Sequence, residues 1–319
     1  MRVCIVMYHY VRDLERSRYP AIKGLDAALF RRQVDFLNAK FSIIRMEDLL
    51  GARAGGKLPE NAALLTFDDG YIDHYSTAFP VLDEMGLQGS FFATGMVLRT
   101  GRLLDVNKVH FILASGGARE IYGSLIAEID RHRGGEYAIP DTRELLCEYA
   151  KPNRFDCGEV IFIKRMLQTA LPEGLRVKIA DRLFRQFVGV SEEVLAGELY
   201  CNAAQLAAMK RHGMHIGLHG DAHGWLGNMG RDEYTRDIDA ALGFMDGAGL
   251  IDANKGWVMN YPYGSWNSGV VEYLRGRGCI AGLTTEVGAA DLQSDDMMLL
   301  PRLDTNDFPP KSEAYLQYC

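Results

Sequence analysis

Residues Ala62–Gly70 read AALLTFDDG, an apolar run that stops abruptly at two aspartates and a glycine. Short apolar runs bounded by turn residues are typical of strands in parallel sheets, whose side chains are covered on both faces. The glycine after the second aspartate favours a tight turn at that point. We therefore predict a buried strand over Ala62–Phe67 that presents Asp68 and Asp69 at its carboxyl end.

Comparable apolar runs occur on both sides of this strand and alternate with amphipathic segments. The segment Asp26–Lys40, for example, spaces its apolar residues as on one face of a helix. Alternating short strands and helices are the pattern of parallel β/α units, which form a barrel or an open doubly wound sheet. We predict an α/β fold with further strands at Val3–Met7, Phe41–Ile44, Gly89–Ala93, Met214–Leu218, Trp257–Asn260, Ile280–Thr284 and Leu299–Leu303.

This alternation is interrupted in residues 101–199, where several segments have helical periodicity and no comparable strand occurs. We predict an inserted helical subdomain over 101–199, placed between the third or fourth strand and the strand that precedes His219. The barrel-like remainder then consists of residues 1–100 and 200–319. An insertion at the rim of such a domain commonly sets substrate choice, and a contact between subunits of an oligomer is the alternative use.

The composition excludes several classes of protein. The chain has 319 residues, of which 48% are hydrophobic, so it can bury a large core. Its formal net charge of -7 gives no electrostatic basis for binding nucleic acid phosphates. No run approaches the roughly 20 apolar residues needed to span a bilayer, and residues 1–11 lack the features of an export signal. We therefore expect a cytoplasmic protein without a membrane span.

The six cysteines are scattered along the chain and form no Cys-x-x-Cys pair. This distribution disfavours both a disulfide framework and a zinc site made of thiolates. We expect reduced thiols with mostly structural roles at Cys4, Cys147, Cys157, Cys201, Cys279 and Cys319.

Three polar clusters directly follow predicted strands. They are Asp68 with Asp69, His219 with His223, and Asn260–Gly264. In a parallel β/α barrel the carboxyl ends of all strands form one rim, so residues distant in sequence converge there. We therefore expect these three clusters to share one site.

The residue types in these clusters suit metal-dependent hydrolysis. Two imidazoles and a carboxylate from another strand provide nitrogen and oxygen ligands for a divalent cation. A bound cation lowers the pKa of its water and polarises a carbonyl group, while a second carboxylate can accept the proton. Each cluster alone also has a structural explanation, because Asp-Asp-Gly is a common turn and His-x-x-x-His occurs by coincidence on surfaces. Their joint placement after strands favours the functional interpretation.

Four segments carry a recognisable pattern, in the chain order Leu65–Tyr71 (LTFDDGY), Gly89–Gly95 (GSFFATG), Gly213–His223 (GMHIGLHGDAH) and Tyr261–Asn267 (YPYGSWN). Together they resemble the polysaccharide deacetylase family, also called the NodB-homology domain or carbohydrate esterase family 4. The first segment is highly specific, and the likeness covers most of the chain outside the insertion. The resemblance implies a distorted (β/α)-barrel of about seven parallel strands that hydrolyses an N-acetyl group on a sugar and releases acetate.

The resemblance also implies roles for individual residues. Asp68 would be the catalytic base, and Asp69, His219 and His223 would hold one divalent metal ion, usually zinc. Tyr263 would help to form the oxyanion hole, mainly through its backbone N–H. These roles agree with the chemistry expected from the residue types.

The sequence departs from the family pattern at two motif positions. Gly220 replaces the usual serine or threonine of the histidine motif, which removes a hydrogen bond but no metal ligand. Asn260 replaces the arginine that orients the base in the third motif. Arg302, near the end of the last predicted strand, is our candidate substitute for that arginine.

A third departure concerns the general acid that protonates the leaving amine. No histidine follows His223, so the family's late histidine has no counterpart. His9 ends the first predicted strand, would share the rim with Asp68, and matches an early Tyr-His pair that related deacetylases use in this way. The alternative is a buried His9 bonded to a backbone group. We expect His74 on an exposed approach to a helix, and structural roles for His110, His132, His212 and His215.

Aromatic side chains near the motifs suit the apolar faces of sugar rings. The candidates are Tyr71, Trp225, Tyr261 and Trp266, with core packing as the alternative for Tyr71 and Tyr261. The leading functional hypothesis is a zinc-type hydrolase that removes an acyl group from an N-acylated sugar or glycan precursor in polysaccharide synthesis. One alternative is a hydrolase of a non-sugar amide, and another is a catalytically silent, metal-dependent sugar-binding protein.

Overall fold

The computed structural model describes residues 1–53, 55–153 and 156–319. The chain forms two compact units. The first comprises Met1–Asp13, Gly24–Arg102 and Gly197–Cys319, and the second comprises Leu14–Lys23 and Leu103–Ala196. None of the described helices is long and apolar enough to cross a membrane.

The first unit contains the strands, which are, in chain order, β1 (Arg2–Tyr8), β2 (Val11–Arg12), β3 (Leu25–Asp26), β4 (Ser42–Ile43), β5 (Ala62–Phe67), β6 (Gly89–Ala93), β7 (His215–Leu218), β8 (Trp257–Asn260), β9 (Cys279–Val287), β10 (Ala290–Asp291) and β11 (Leu300–Asp304). In the described part of the chain, seven strands pair in parallel in the closed order β1, β11, β9, β8, β7, β6, β5 and back to β1. The short β4 extends the sheet beside β5, and β10 runs antiparallel to β1. The predicted barrel of seven parallel strands is therefore confirmed.

The helices are, in chain order, α1 (Ala27–Lys40), α2 (Met46–Arg53), α3 (Phe79–Glu84), α4 (Gly95–Thr100), α5 (Asp105–Ser115), α6 (Ala118–Arg131), α7 (Thr142–Tyr149), α8 (Gly158–Arg165), α9 (Glu173–Phe187), α10 (Glu192–Leu199), α11 (Ala203–Arg211), α12 (Arg231–Gly247) and α13 (Ser268–Gly276). Two π-helical turns lie at His74–Ala78 and Met166–Ala170. As far as the chain is described, β6 and β7 are joined through helices without an intervening strand. The predicted position of the helical insertion is confirmed.

Local sequence signals explain where several helices begin. The Asp26 side chain accepts the Ala28 backbone N–H at the start of α1, and this contact satisfies one of the unpaired donors of the first turn. Asn202 and Gln205 form a reciprocal capping box at the start of α11. Asn267 caps α13 by accepting the backbone N–H of Val270.

Alternate residues of the strands enter two different hydrophobic cores. Ile5 and Leu64 belong to a core made largely of strand residues, whereas Val6 belongs to a core that also contains Phe30 of α1. Because successive side chains of a strand point to opposite faces, the first core fills the barrel and the second lies between the barrel and its helices. Thr66 continues the barrel-filling row of Leu64 toward the carboxyl rim.

The second unit is helical, and residues of Leu14–Lys23 pack within it. The Tyr19 hydroxyl donates to the Val188 carbonyl oxygen at 3.1 Å. Lys108 is only 3% exposed, and its Nζ lies 2.6 Å from an Asp181 carboxylate oxygen. A buried ammonium group requires such a partner, because an isolated charge in a protein interior is costly.

Cys4 and Cys319 form a disulfide across a sequence separation of 315 residues. The expectation of reduced thiols is therefore wrong for this pair. The pairing carries no local sequence signal, because only the folded chain brings β1 beside the C-terminal segment. Among the remaining cysteines, Cys201 and Cys279 are buried and free, and Cys147 and Cys157 are exposed and free.

Candidate metal centre

Three side chains meet at the carboxyl rim of the barrel. Asp69 follows β5, and His219 and His223 follow β7. The Nε2 atoms of both histidines lie 3.2 Å from Asp69 Oδ1, and one ligand atom of each residue lies within 4.8 Å of the others. All three side chains are buried. The structure thus brings together the three residues proposed as metal ligands.

The donor set of this cluster fits a divalent cation. His219 Nδ1 donates to the Asn260 carbonyl oxygen at 2.7 Å, so Nε2 carries the lone pair of the neutral ring. Asp69 Oδ1 is buried without a hydrogen-bond partner within the described residues. Burial alone raises the pKa of Asp69, but the two imidazoles outweigh this effect and hold the pKa well below its usual value. A buried carboxylate facing two imidazole nitrogens is a typical zinc-binding set.

The loop between the two histidines is held by Asp237 of α12. The Asp237 carboxylate accepts the Asp221 backbone N–H at 2.8 Å and the Ala222 backbone N–H at 3.1 Å. Gly220 has a φ of +69°, and a Cβ at this position would lie 3.0 Å from Asp237 Oδ1. The left-handed backbone and this close approach together explain glycine at the family's usual serine or threonine position.

Asp68 lies beside the proposed metal ligands and is bound by Arg302 of β11. Arg302 Nη1 donates to Asp68 Oδ1 and Nη2 donates to Oδ2, both at 2.8 Å. Burial alone raises the pKa of Asp68, but Arg302 and then His9 outweigh this effect and hold the pKa below its usual value. Asp68 is therefore ionised at neutral pH, as a proton acceptor must be.

Arg302 is 1% exposed and makes further hydrogen bonds inside the barrel. Its guanidinium donates to Thr66 Oγ1 at 3.2 Å, to Asn260 Oδ1 at 3.0 Å and to the Thr284 carbonyl oxygen at 2.7 Å. The charge that orients Asp68 thus comes from β11, and Asn260 of β8 supplies an acceptor for it. A substitute for the motif arginine must bind Asp68 as Arg302 does. The catalytic role of Arg302 remains a prediction.

His9 lies at the same rim, one residue after β1. Its Nε2 is 3.7 Å from Asp68 Oδ2, and 40% of its side chain is exposed. The alternative of a buried, backbone-bonded His9 ring is wrong, because the ring reaches both solvent and Asp68. This position suits a proton donor on the open side of the site.

His74 is buried, and the expectation that it is exposed is wrong. Its Nε2 donates to the His9 carbonyl oxygen at 2.9 Å. Burial lowers the pKa of His74 to about 4, so the ring is neutral at ordinary pH. The expectation failed because the helical segment already begins at Ile72, so His74 lies within a π-helical turn that directs this ring inward.

Tyr263 lies next to the histidine loop. Its φ of +57° is uncommon for a residue with a side chain, and such backbone conformations cluster at functional sites. Its ring lies 4.5 Å from the His223 ring and stacks on Trp225 at 4.3 Å. The residue proposed for the oxyanion hole is therefore adjacent to one proposed ligand.

The four aromatic candidates divide into two groups. Tyr71 and Tyr261 are fully buried, so core packing is the correct interpretation of their rings. Trp266 is 42% exposed, and Trp225 is half-buried. The two tryptophans remain candidates for contact with a sugar.

Sequence reasoning missed the roles of two residues that support this centre. The Tyr71 hydroxyl donates to Asp69 Oδ2 at 2.6 Å. Burial and then Asp69 raise the pKa of Tyr71 well above its usual value, so the hydroxyl remains a donor. The available signal was the position of Tyr71, two residues after Asp69. Asp237 carried no signal, because it lies within a helix far from the motifs.

Comparison with known sequences supports the family resemblance. A sequence model described as polysaccharide deacetylase matches residues 189–279, a range that includes both proposed histidine ligands. YxkH of Bacillus subtilis (strain 168), provisionally named a polysaccharide deacetylase, is 31% identical over 93 residues. That match covers 28% of this chain and 31% of the relative, so it spans about a third of the relative's length.

Solved structures of deacetylases share the fold over nearly the whole chain. The Streptococcus pyogenes deacetylase PplD, in complex with acetate, has 16% identity and a TM-score of 0.59, covering 99% of this chain and 97% of that chain. IcaB from Ammonifex degensii has 17% identity and a TM-score of 0.56, with the same coverage of 99% and 97%. At these identities the likeness concerns the fold. Together, the sequence matches and the shared fold confirm the resemblance of this chain to the polysaccharide deacetylase family.

Proposed function

We propose that this protein is a metal-dependent hydrolase that removes an N-acetyl group from a sugar. The observation that carries the proposal is the cluster of Asp69, His219 and His223 beside Asp68, whose carboxylate is bound by Arg302. The names of the relatives support deacetylation as the reaction. Zinc is the proposed metal, because it suits a ligand set of two imidazoles and one carboxylate that leaves a position open for water.

A divalent cation held by Asp69, His219 and His223 would supply a polarised amide carbonyl and a water of lowered pKa. Asp68 then accepts a proton from the attacking water. Arg302 keeps Asp68 ionised and fixed, and each carboxylate oxygen retains a further acceptor position. The backbone N–H of Tyr263 is the proposed donor to the carbonyl oxygen as negative charge develops there.

His9 is the proposed general acid. Breaking the amide bond yields acetate and an amine, and the amine must gain a proton as it leaves. The His9 ring lies 3.7 Å from Asp68 and is partly exposed, so it can meet a leaving group on the open side of the site. The proton accepted by Asp68 and the proton given by His9 together balance the reaction.

We place the substrate among N-acetylated sugars of polysaccharides or their biosynthetic precursors. The exposed Trp266 and the half-buried Trp225 support this assignment, because flat aromatic faces suit the apolar faces of sugar rings. A catalytically silent sugar-binding protein is less well supported, because Arg302 and His9 are the proposed replacements for the motif arginine and the late histidine whose absence favoured it. Hydrolysis of a non-sugar amide remains the alternative reaction.

A cytoplasmic location and an oligomer formed through residues 101–199 remain predictions. The disulfide between Cys4 and Cys319 counts against the cytoplasm, because such bonds persist mainly in oxidising compartments. Export of a reporter fused to the amino-terminal segment would contradict the cytoplasmic prediction.

The proposal is tested by measuring bound metal and then acetate release from N-acetylglucosamine oligomers, with linear and cyclic amides assayed in parallel. We expect acetate release that stops on chelation and returns with Zn²⁺. The variant Asp68→Asn should keep its metal and lose turnover by at least about 10²-fold. Cleavage of a linear or cyclic amide without acetate release from any N-acetyl sugar would contradict the sugar assignment.

A further inference from the structure

The two oxygens of Asp69 have different partners. Oδ1 lies 3.2 Å from the Nε2 atoms of His219 and His223. Oδ2 accepts the Tyr71 hydroxyl at 2.6 Å, a distance typical of a strong hydrogen bond to a carboxylate. One oxygen therefore faces the proposed metal position, and the other is occupied by the phenol.

The Tyr71 ring is fixed by contacts that do not involve the site. It is fully buried and stacks on Tyr10 at 4.1 Å with an interplanar angle of 12°. The Tyr71 backbone also forms a β-bridge with Tyr200, and its carbonyl oxygen accepts the Cys201 thiol at 3.0 Å. Neither the phenol nor its backbone can shift far without disrupting this packing.

The backbone conformation of Asp69 explains why its carboxylate needs the hydrogen bond from Tyr71. Its φ of +76° is a conformation that residues with side chains rarely adopt. A strained residue persists only where surrounding contacts hold it. The hydrogen bond from Tyr71 is such a contact, and it acts on the carboxylate itself.

We infer that Tyr71 is a positioning residue that confines Asp69 to binding the metal through Oδ1 alone. This inference rests on the proposed function, because it requires a metal at the centre. With Oδ2 occupied by the phenol, the protein would fill one fewer coordination position of the metal. That position would stay open for water or a substrate carbonyl. Groups that hydrogen-bond a metal ligand typically change metal affinity by about 10- to 100-fold when removed.

The test compares Tyr71→Phe with Tyr8→Phe. Both tyrosines are fully buried, but the Tyr8 hydroxyl has no hydrogen-bond partner among the described residues. Each change removes one hydroxyl and keeps the ring, so both variants should fold, which thermal unfolding of the metal-free proteins checks. The measurements are the Kd for Zn²⁺ and the visible absorption spectrum of the Co²⁺-substituted proteins, which reports the number and kind of ligands.

We expect Tyr71→Phe to raise the Kd for Zn²⁺ by about 10- to 100-fold and to alter the Co²⁺ spectrum. Tyr8→Phe should match the unmodified protein in both measurements. Equal Kd values and equal spectra for Tyr71→Phe and the unmodified protein would overturn the inference and leave the proposed function intact. Failure of the unmodified protein to bind either ion would overturn the proposed function and the inference together.

Discussion

Arg302 binds both oxygens of Asp68 at 2.8 Å from a position 234 residues later in the chain. Both side chains are buried, so the pair is shielded from the solvent that weakens surface ion pairs. A substitute for the arginine that the third motif lacks at Asn260 must make this contact, and that role of Arg302 remains a prediction.

Replacing Arg302 with methionine should destabilise the protein by about 3–5 kcal/mol, because Asp68 would remain as an unpaired buried charge. The folded-state pKa of Asp68 lies below the usual aspartate value of 3.8. The stabilisation that the Asp68–Arg302 pair provides is therefore complete above about pH 4 and is lost as the pH falls through the folded pKa of Asp68. Urea unfolding of both proteins, measured above and below about pH 4, checks the loss of stability in the variant and its dependence on pH.

The matched control for this variant is Arg31→Met, because Arg31 forms an exposed pair with Glu84. Removing an exposed pair should change stability little. If Arg302→Met and Arg31→Met unfold at the same urea concentration, the buried pair does not contribute as argued.

Replacing His9 with glutamine should reduce kcat by about 10²- to 10⁴-fold, because the leaving amine would lose its proton donor. The Kd for Zn²⁺ should remain within about twofold, because His9 is not among the proposed ligands. His212→Gln, at an exposed position, serves as the control. A kcat for His9→Gln close to that of His212→Gln would remove His9 from the mechanism.

His74 should make the protein less stable in acid. Its folded pKa of about 4 lies below the usual histidine value of 6.5, so the unfolded state takes up the proton first. Stability attributable to neutral His74 is complete above about pH 6.5 and declines toward pH 4, by about 3 kcal/mol in total. Urea unfolding at several pH values measures this decline.

His74→Gln keeps a donor for the His9 carbonyl oxygen but has no proton to gain. The difference in unfolding free energy between this variant and the unmodified protein should therefore change between pH 6.5 and 4. A difference that stays constant over this range would show that His74 does not titrate as its burial implies.

Gly220→Ser, which restores the family's usual kind of residue, should destabilise the protein by about 1–3 kcal/mol. Its left-handed backbone and the nearby Asp237 carboxylate both oppose a side chain there. Gly243→Ser is the control, because a Cβ at Gly243 meets no atom within 4 Å. Thermal unfolding of both variants measures this difference. Equal unfolding midpoints would contradict the explanation that the left-handed backbone requires glycine at position 220.

The sequence predicts the barrel well because its strands are buried on both faces. A strand such as Ala62–Phe67 must be apolar throughout, and this leaves a clear pattern. The same logic brings Asp68, Asp69 and the two histidines to one rim, since all follow parallel strands. The sequence also allowed Arg302 to be proposed as the substitute arginine, because it lies near the end of the last strand.

The features that the sequence did not predict depend on contacts between distant parts of the chain. The burial of His74 depends on a π-helical turn, and the support from Tyr71 depends on which Asp69 oxygen faces the histidines. The disulfide between Cys4 and Cys319 depends on the folded chain bringing its C-terminal segment beside β1. These features arise from tertiary geometry, and the spacing of residues along the chain does not reveal them.

That disulfide also determines what a protease would produce. A single cut anywhere between Cys4 and Cys319 leaves two fragments that are still covalently joined. Cleavage at an exposed loop of the helical unit, such as Gly134–Gly135, would therefore go undetected on a denaturing gel without reductant. Only reduction would separate the nicked chain into its two pieces.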